Sequence, residues 1–419
     1  MEFINTYLCG VILPCALMVF GLFFAIKYKF FYILHPVRLL KSSLKNRGGL
    51  RALSVALAGT LGVGNIIGVA SAIQMGGAGS IFWMWVSALF AMSLKYAEVC
   101  LAMRFRRRKG GEIRGGAPYY INEGLKGKIG IKPAYFLSCI FAIFCVVNSL
   151  TTGNLVQINS VSTLLPLPPL AFGIIFTVLA FVVIIGGLKR IGKITSILIP
   201  VLTFGYVSIC IIALILNFDM LPRAFKMIFN EAFSFKSAVC GFCGYGFFAA
   251  MRYGVSRGVL SNEAGCGTSP SAHATNNEGE MHPQGCLGIF EVLVDTLLLC
   301  TLTALVILTS NVYQAKSAVD LILSAFENIL GTFGAALVLT LCVLFAFATV
   351  ICQFFYGIEA LGYIWQSSRP RYIFTFIFCF VLLVGSVIPM ALMWQISDLA
   401  LAFMTIFNLI ALFLLRRNI

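Results

Sequence analysis

Charge is what this sequence has least of: of 419 residues, 11% are charged, 15 are acidic and three are histidine. A soluble domain carries about a quarter charged residues, so a water-solvated globule is excluded. His35, His273 and His282 are dispersed, with no cysteine pair beside them in ligand spacing, which excludes a structural zinc site. No G-x-x-x-x-G-K-[ST] stretch occurs, which removes the usual phosphate cradle of an ATP-driven machine. The 14 cysteines scatter through apolar runs without a short-spaced framework, as buried free thiols do. Cys240 and Cys243 form a C-x-x-C within a glycine-rich apolar span, a place for small packing residues rather than exposed thiolates. Glu2 precedes the first apolar run and no small-residue cleavage site follows it, so the run reads as a retained span.

What is present is hydrophobic: 60% of the residues, with a mean hydropathy of +0.97. Apolar segments fall at 8–27, 51–75, 81–103, 134–164, 171–187, 194–216, 236–252, 286–309, 333–361, 372–388 and 392–414. Each offers roughly the ~20 residues that cross a bilayer, which predicts an all-α integral membrane protein with 11 transmembrane helices. The loop 27–51, the run "RFRRRKGGEIRGG" and the smaller basic clusters fall on one side by this count, and hold 25 of the 30 basic residues. Cytoplasmic loops concentrate Lys and Arg, so the amino terminus is expected outside and the carboxyl terminus in the cytoplasm of a cell-membrane protein. The net charge of +15 then follows from topology, and no nucleic-acid partner is required. The basic loop also suits anionic lipid headgroups.

An odd count suggests one extra helix and two inverted halves of five. The expected organisation is 1–50 (extra helix and basic linker), 51–217 (first repeat), 218–235 (external amphipathic linker), 236–414 (second repeat) and 415–419 (tail). The first helix of each half contains a glycine cluster, "GTLGVGN" (59–65) and "CGFCGYGFF" (240–248). Glycine weakens a helix, and an asparagine in hydrocarbon costs free energy unless it has a partner. Glycines also sit where helices pack closely. Paired interruptions at matching positions of inverted halves point instead to a secondary transporter's site. The backbone groups that an unwound turn frees have no partner in lipid; a bound carboxylate or cation can satisfy them. Asn65 adds an amide oxygen, a ligand type that hard cations favour.

Charges inside spans cost about 2.5–3.5 kcal/mol each on insertion scales, so they need partners. Glu98 lies beside Lys95 at the basic end of its span, and Glu291 and Asp295 are spaced i and i+4 on one helix face. Counting about 1.5 Å per residue, Lys95 is expected to pair with Asp295 or Glu291, as a structural ion pair or as a gate. The polar stretch 256–285 reads as a cytoplasmic loop forming a short helix across the inner gate, with Glu263 near its amino-terminal cap. His273 reads as a satisfied loop residue, and nothing around it has the spacing of a catalytic triad. "PRAFKMIFNEAF" (222–233) reads as an external amphipathic helix, with "VDLILSAFENIL" (319–330) as its counterpart.

The sequence resembles the alanine or glycine:cation symporters of the amino acid–polyamine–organocation superfamily. The resemblance spans the whole chain and rests on "AGTLGVGNIIGVASAI", "GGAPYYINEGL", "GNLVQINS" and "RGVLSNEAGCGTSPSAHA", among others. It implies a leucine-transporter-like fold of inverted five-helix repeats that imports a small neutral amino acid with Na⁺ and without an organic cofactor. It places the substrate carboxylate at Gly62, Gly64 and Asn65, with Gly241, Phe242, Gly244 and Phe247 facing it from the second broken helix. Gln157, Thr349 and Gln353 complete the pocket. One Na⁺ would meet the Thr60 carbonyl and Asn65; a second would meet carbonyls near Ala58 and Leu61 and the Thr349 hydroxyl. Two departures bear on this picture. Ala348 stands where the family usually has serine, which removes one cation ligand. Gln353 stands where a tryptophan usually lines the alanine pocket, which favours a larger or more polar substrate such as glutamine or serine. A proton-coupled or uncoupled amino acid carrier on the same scaffold is the alternative; a membrane enzyme lacks any catalytic cluster. The resemblance implies no obligatory protein partner.

Overall fold

The computed structural model describes residues 7–35, 47–109, 112–162, 164–165, 167–234, 245–277, 279–312, 317–365, 367–388 and 390–419. Nearly all of them are helical. Helix α1 is Leu8–Lys27. The broken pair is α2 (Arg47–Thr60) and α3 (Ile67–Gly76), joined by a short 3₁₀ turn at Val63–Asn65 and bent by 65°. Then follow α4 (Gly79–Arg104), a hairpin of Arg107–Lys109 with Glu112–Arg114, α5 (Ala117–Ile129) and α6 (Ile131–Ser162). Helices α7 (Pro169–Ile185), α8 (Gly187–Leu216) and α9 (Leu221–Ala232) lead to α10 (Tyr245–Asn262) and the short α11 (Pro270–Ala274). The chain ends with α12 (Met281–Thr309), α13 (Ala318–Ile364), α14 (Ser368–Gly385) and α15 (Met390–Leu414).

Seven of these helices are long and apolar enough to cross a membrane, eight when the bent pair counts as one span. Their outward faces are apolar, with Phe204, Phe333 and Phe376 each at least 75% exposed, which only lipid tolerates on this scale. Helix α13 is two helices meeting at Gly331, whose φ of 71° no β-carbon favours. Its 318–330 portion buries Leu321, Ile322 and Phe326, as an amphipathic pre-span helix does.

One region departs from the sequence-based expectation. The polar stretch after α10 is no loop: every residue from Ser261 to Pro270 is buried. Helix α10 carries Arg252 and Arg257 with it into the bundle, the first beside Gly10 of α1 and the second within electrostatic reach of Asp398. These two cations therefore do not belong to the basic face, which the hairpin, Lys189–Lys193 and Arg416–Arg417 define.

Candidate functional site

The first unwound turn is held open by its own Asn65 and by side chains from three other helices, α6, α12 and α13. Gly62 N–H donates to its own turn's Asn65 Oδ1 at 3.1 Å, and Val63 N–H donates to Gln157 Oε1 of α6 at 3.2 Å. The freed carbonyls accept from Thr349 (at Leu61, 3.1 Å), Gln353 (at Gly59, 3.4 Å) and Thr303 (at Asn65, 3.0 Å). Gly62 has extended backbone, so it needs glycine for space: a β-carbon there would meet Thr349 Oγ1 at 2.7 Å and Gln157 Oε1 at 2.8 Å. Gly64 faces Ser261, whose Cα lies 3.5 Å from the position of such a carbon. Ala58, Thr60 and Leu61 are buried in and just after the last turn of α2. Gly153 makes room for Gln353, which a β-carbon at 153 would meet at 2.3 Å, and not for the amide of Gln157.

Opposite this turn lies a second one, at Glu263–Ser269, between α10 and α11. Glu263, Gly265 and Gly267 have left-handed φ of 48°, 85° and 79°, which ends α10 inside the bundle. Glu263 therefore does not cap a following helix. It sits at the carboxyl end of α10, where its Oε1 accepts from Gln353 Nε2 at 2.8 Å and its Oε2 accepts from Thr268. The turn's own N–H groups are met by fixed partners, Glu98 Oε1 at Gly267 (2.9 Å) and Asn262 Oδ1 at Ala264 (3.0 Å). Asn408 donates to Glu98 and to the Gly265 carbonyl. Among the described residues, the interruption facing the first break is thus 263–269. Gly241, Phe242 and Gly244 lie outside the described residues. Phe247 packs edge-on against Trp83, with ring centroids 5.5 Å apart, and is about 21 Å along α10 from Ser261 at 1.5 Å per residue. It does not face the first break, because α10 runs unbroken between the two positions.

The two turns are bridged by a polar cluster around Asn65. Its Nδ2 has three oxygens within reach: Ser261 Oγ (2.8 Å), Asp295 Oδ1 (2.7 Å) and Asp295 O (3.1 Å). Asp295 Oδ2 in turn accepts from Ser261 and Thr296 at 2.9 and 2.7 Å. An amide nitrogen has two protons, so this ring of oxygens offers more acceptor capacity than Asn65 uses. Lys95 instead pairs with Glu291 at 3.3 Å and donates to Ser269 Oγ at 2.8 Å. His273 Nε2 lies 3.1 Å from Glu291 Oε2, and its Nδ1 lies 2.8 Å from Gln284 Nε2. Asp295 is not the partner of Lys95 because a π-helical stretch at Leu293–Cys300 rotates the residues after Glu291 towards the broken pair.

Access is asymmetric. A cavity of about 500 Å³ opens on the basic face between α2, α8 and α13 and reaches Val55 and Phe355. Val55 is one helical turn from Gly59. On the other face α9 covers the α3–α4 turn. Glu231 Oε2 accepts from Ala78 N–H at 2.7 Å, at the amino end of α4, and Trp83 Nε1 donates to the Ala232 carbonyl at 3.1 Å. Gly79 permits this contact, since a β-carbon there would lie 2.4 Å from the Glu231–Ala232 backbone.

The family model for the sodium:alanine symporter family matches residues 1–419. The chain belongs to that family. It is accordingly a multi-pass transporter of the cell membrane. A sodium/alanine symporter from Methanococcus maripaludis is 35% identical over 378 residues, covering 87% of this chain and 81% of its own. A probable sodium/glutamine symporter from Bacillus subtilis is 31% identical, covering 99% of this chain and 87% of its own. Among solved structures, a Na⁺-coupled sialic acid symporter in an outward-open state superposes with a TM-score of 0.52 at 13% identity, over 96% of this chain and 82% of that one. That last likeness is one of fold.

Proposed function

We propose that this chain imports a small neutral amino acid together with Na⁺ by alternating access, through eleven crossings with the basic face in the cytoplasm. The observation that carries this reading is the meeting of the 61–65 and 263–269 turns in the middle of the bundle, with the first turn's N–H groups held only by neutral amides. A substrate carboxylate can replace Gln157 and Asn65 at Gly62 and Val63, since a charge-assisted bond is about twice as strong as a neutral one. The oxygen ring around Asn65 suits a hard cation once Asn65 turns its Oδ1 inward, with Asp295 and Ser261 as further ligands. Thr349 and the Leu61 carbonyl, 3.1 Å apart, supply two ligands for a second cation; Ala348 beside them supplies none. The basic-face cavity and the closed α9 side correspond to a state open to the cytoplasm. Na⁺ and substrate shift the population only through tighter binding to one state than another. At a membrane potential of ~100 mV, each net positive charge carried inward adds about 2.3 kcal/mol of drive.

Gln353 favours a polar substrate such as glutamine or serine. Its Oε1 is buried and accepts no hydrogen bond among the described residues, whereas its Nε2 is taken by Glu263, so a donor on the substrate side chain would find a ready acceptor. Uptake of labelled alanine and labelled glutamine into proteoliposomes, with an imposed Na⁺ gradient against a K⁺ control, tests both statements. Na⁺-driven accumulation of either supports the symport, and strict alanine and glycine preference would remove the role given to Gln353.

A further inference from the structure

On the lipid side of the broken helix, α2, α8 and α12 enclose a trough of about 910 Å³. Its walls are apolar: Leu53 and Leu57 of α2, Phe204 of α8 and Val294 of α12. Arg51 and Lys193 line the same trough at its basic-face end, where Arg51 Nη2 also donates to the Lys189 carbonyl at 3.2 Å. No acidic side chain lines the trough among the described residues, so neither cation has a counter-ion there. From Lys193 to Val207, also in its wall, α8 advances about 21 Å at 1.5 Å per residue. That length exceeds the ~15 Å hydrocarbon depth of one leaflet.

We infer that this trough binds an anionic phospholipid, with its phosphate between Arg51 and Lys193 and an acyl chain along the α2–α8 wall. The charge complementarity selects the occupant: a zwitterionic lipid fills the apolar part equally well but brings no net charge to the two cations. The site has a consequence for transport, because Arg51 lines both the trough and the basic-face cavity. A lipid bridging α2 to α8 fixes the half-helix whose far end carries Ala58 and Thr60. The binding itself is independent of which solute is carried.

The test uses the full-length protein in nanodiscs of phosphatidylcholine titrated with phosphatidylglycerol, with retained lipid counted by native mass spectrometry. One phosphatidylglycerol should be retained in preference to phosphatidylcholine. Lys193→Gln, at an exposed position, should weaken it about fivefold, the effect of about 1 kcal/mol per basic residue near a membrane surface. Val207→Trp, which fills the trough without changing charge, should displace it. Millimolar inorganic phosphate should not compete, since the chain supplies much of the binding. Equal retention of the two lipids, unchanged affinity in Lys193→Gln, or displacement by inorganic phosphate would each overturn the assignment.

Discussion

The two unwound turns do opposite jobs with different backbones, one a 3₁₀ turn after an extended Gly62 and the other carrying three left-handed residues. At 61–65 the freed N–H groups are held by the side-chain amides of Asn65 and Gln157, which a ligand can displace. At 263–269 they are held by Glu98 and Asn262, and Asn408 binds both Glu98 and the Gly265 carbonyl. Those partners are themselves buried and interlocked, so no ligand gains by replacing them. One turn is exchangeable and the other is a fixed wall for it. The difference is clearest at Gly267, whose N–H is held by the buried carboxylate of Glu98, whereas Gly62 and Val63 are held by neutral amides alone.

The largest expected effect falls on the fixed side. Lys95→Met leaves Glu291 fully buried without its cation and should cost about 3–5 kcal/mol. Denaturation in detergent micelles would measure it, and Lys95→Met/Glu291→Gln should regain most of the loss. No regain would show that the ion pair is not what joins α4 to α12. Next come two matched glycine substitutions. Gly267→Ala places a β-carbon at φ 79° and 2.8 Å from Phe141, so it should lower stability by at least ~1–2 kcal/mol while folded molecules still transport. Gly62→Ala has no left-handed φ but must push aside Thr349 Oγ1 and Gln157 Oε1, which its β-carbon would meet at 2.7 and 2.8 Å; it should cost less stability than Gly267→Ala and weaken substrate binding about tenfold, equivalent to about 1.4 kcal/mol. If both variants lost stability equally, the division between exchangeable and fixed turns would be wrong.

Smaller effects sharpen the same contrast. Asp295→Asn removes a charged acceptor from the ring around Asn65 and should raise the half-saturating Na⁺ concentration about tenfold or more, from the ~1.5–3 kcal/mol of a bond to a charged group. Unchanged Na⁺ dependence would assign Asp295 to structure alone. Glu231→Gln loosens the α9 cover by the 0.3–1 kcal/mol of an anion at a helix amino terminus. Hydrogen exchange at Ala78 should then accelerate about two- to fivefold, and no change would mean that α9 is held by its aromatic contacts instead.

The first turn was legible because three glycines and an asparagine interrupt a hydrophobic run, a pattern with few other readings. The second was hidden by its polarity: "SNEAGCGTS" has the composition of a loop, and the partners that bury it, Glu98 and Asn408, are 169 and 143 residues away in sequence. Local pattern carries no trace of such partners, and the glycines of the expected break at 240–248 lie largely outside the described residues. Depth counting set Lys95 level with Asp295 and kept Glu291, one turn away, as the other candidate; the structure pairs Lys95 with Glu291. Counting could not separate Glu291 from Asp295, because the π-helical turn that rotates Asp295 towards Asn65 leaves no signature in the spacing of apolar residues. Gln157 and Thr349 were placed by resemblance, and both contact the first turn.

On the proposed function, the 61–65 turn is where Na⁺ and an amino acid are held together. The most direct measurement is the thermal stability of the purified protein with alanine or glutamine, in Na⁺ against K⁺, for wild type and Gly62→Ala. A ligand at one hundred times its Kd stabilises by about 2.7 kcal/mol. The account predicts a stabilisation of that order in wild type that needs both Na⁺ and the amino acid and largely disappears in Gly62→Ala. Stabilisation that is indifferent to Na⁺, or that survives intact in Gly62→Ala, would contradict it.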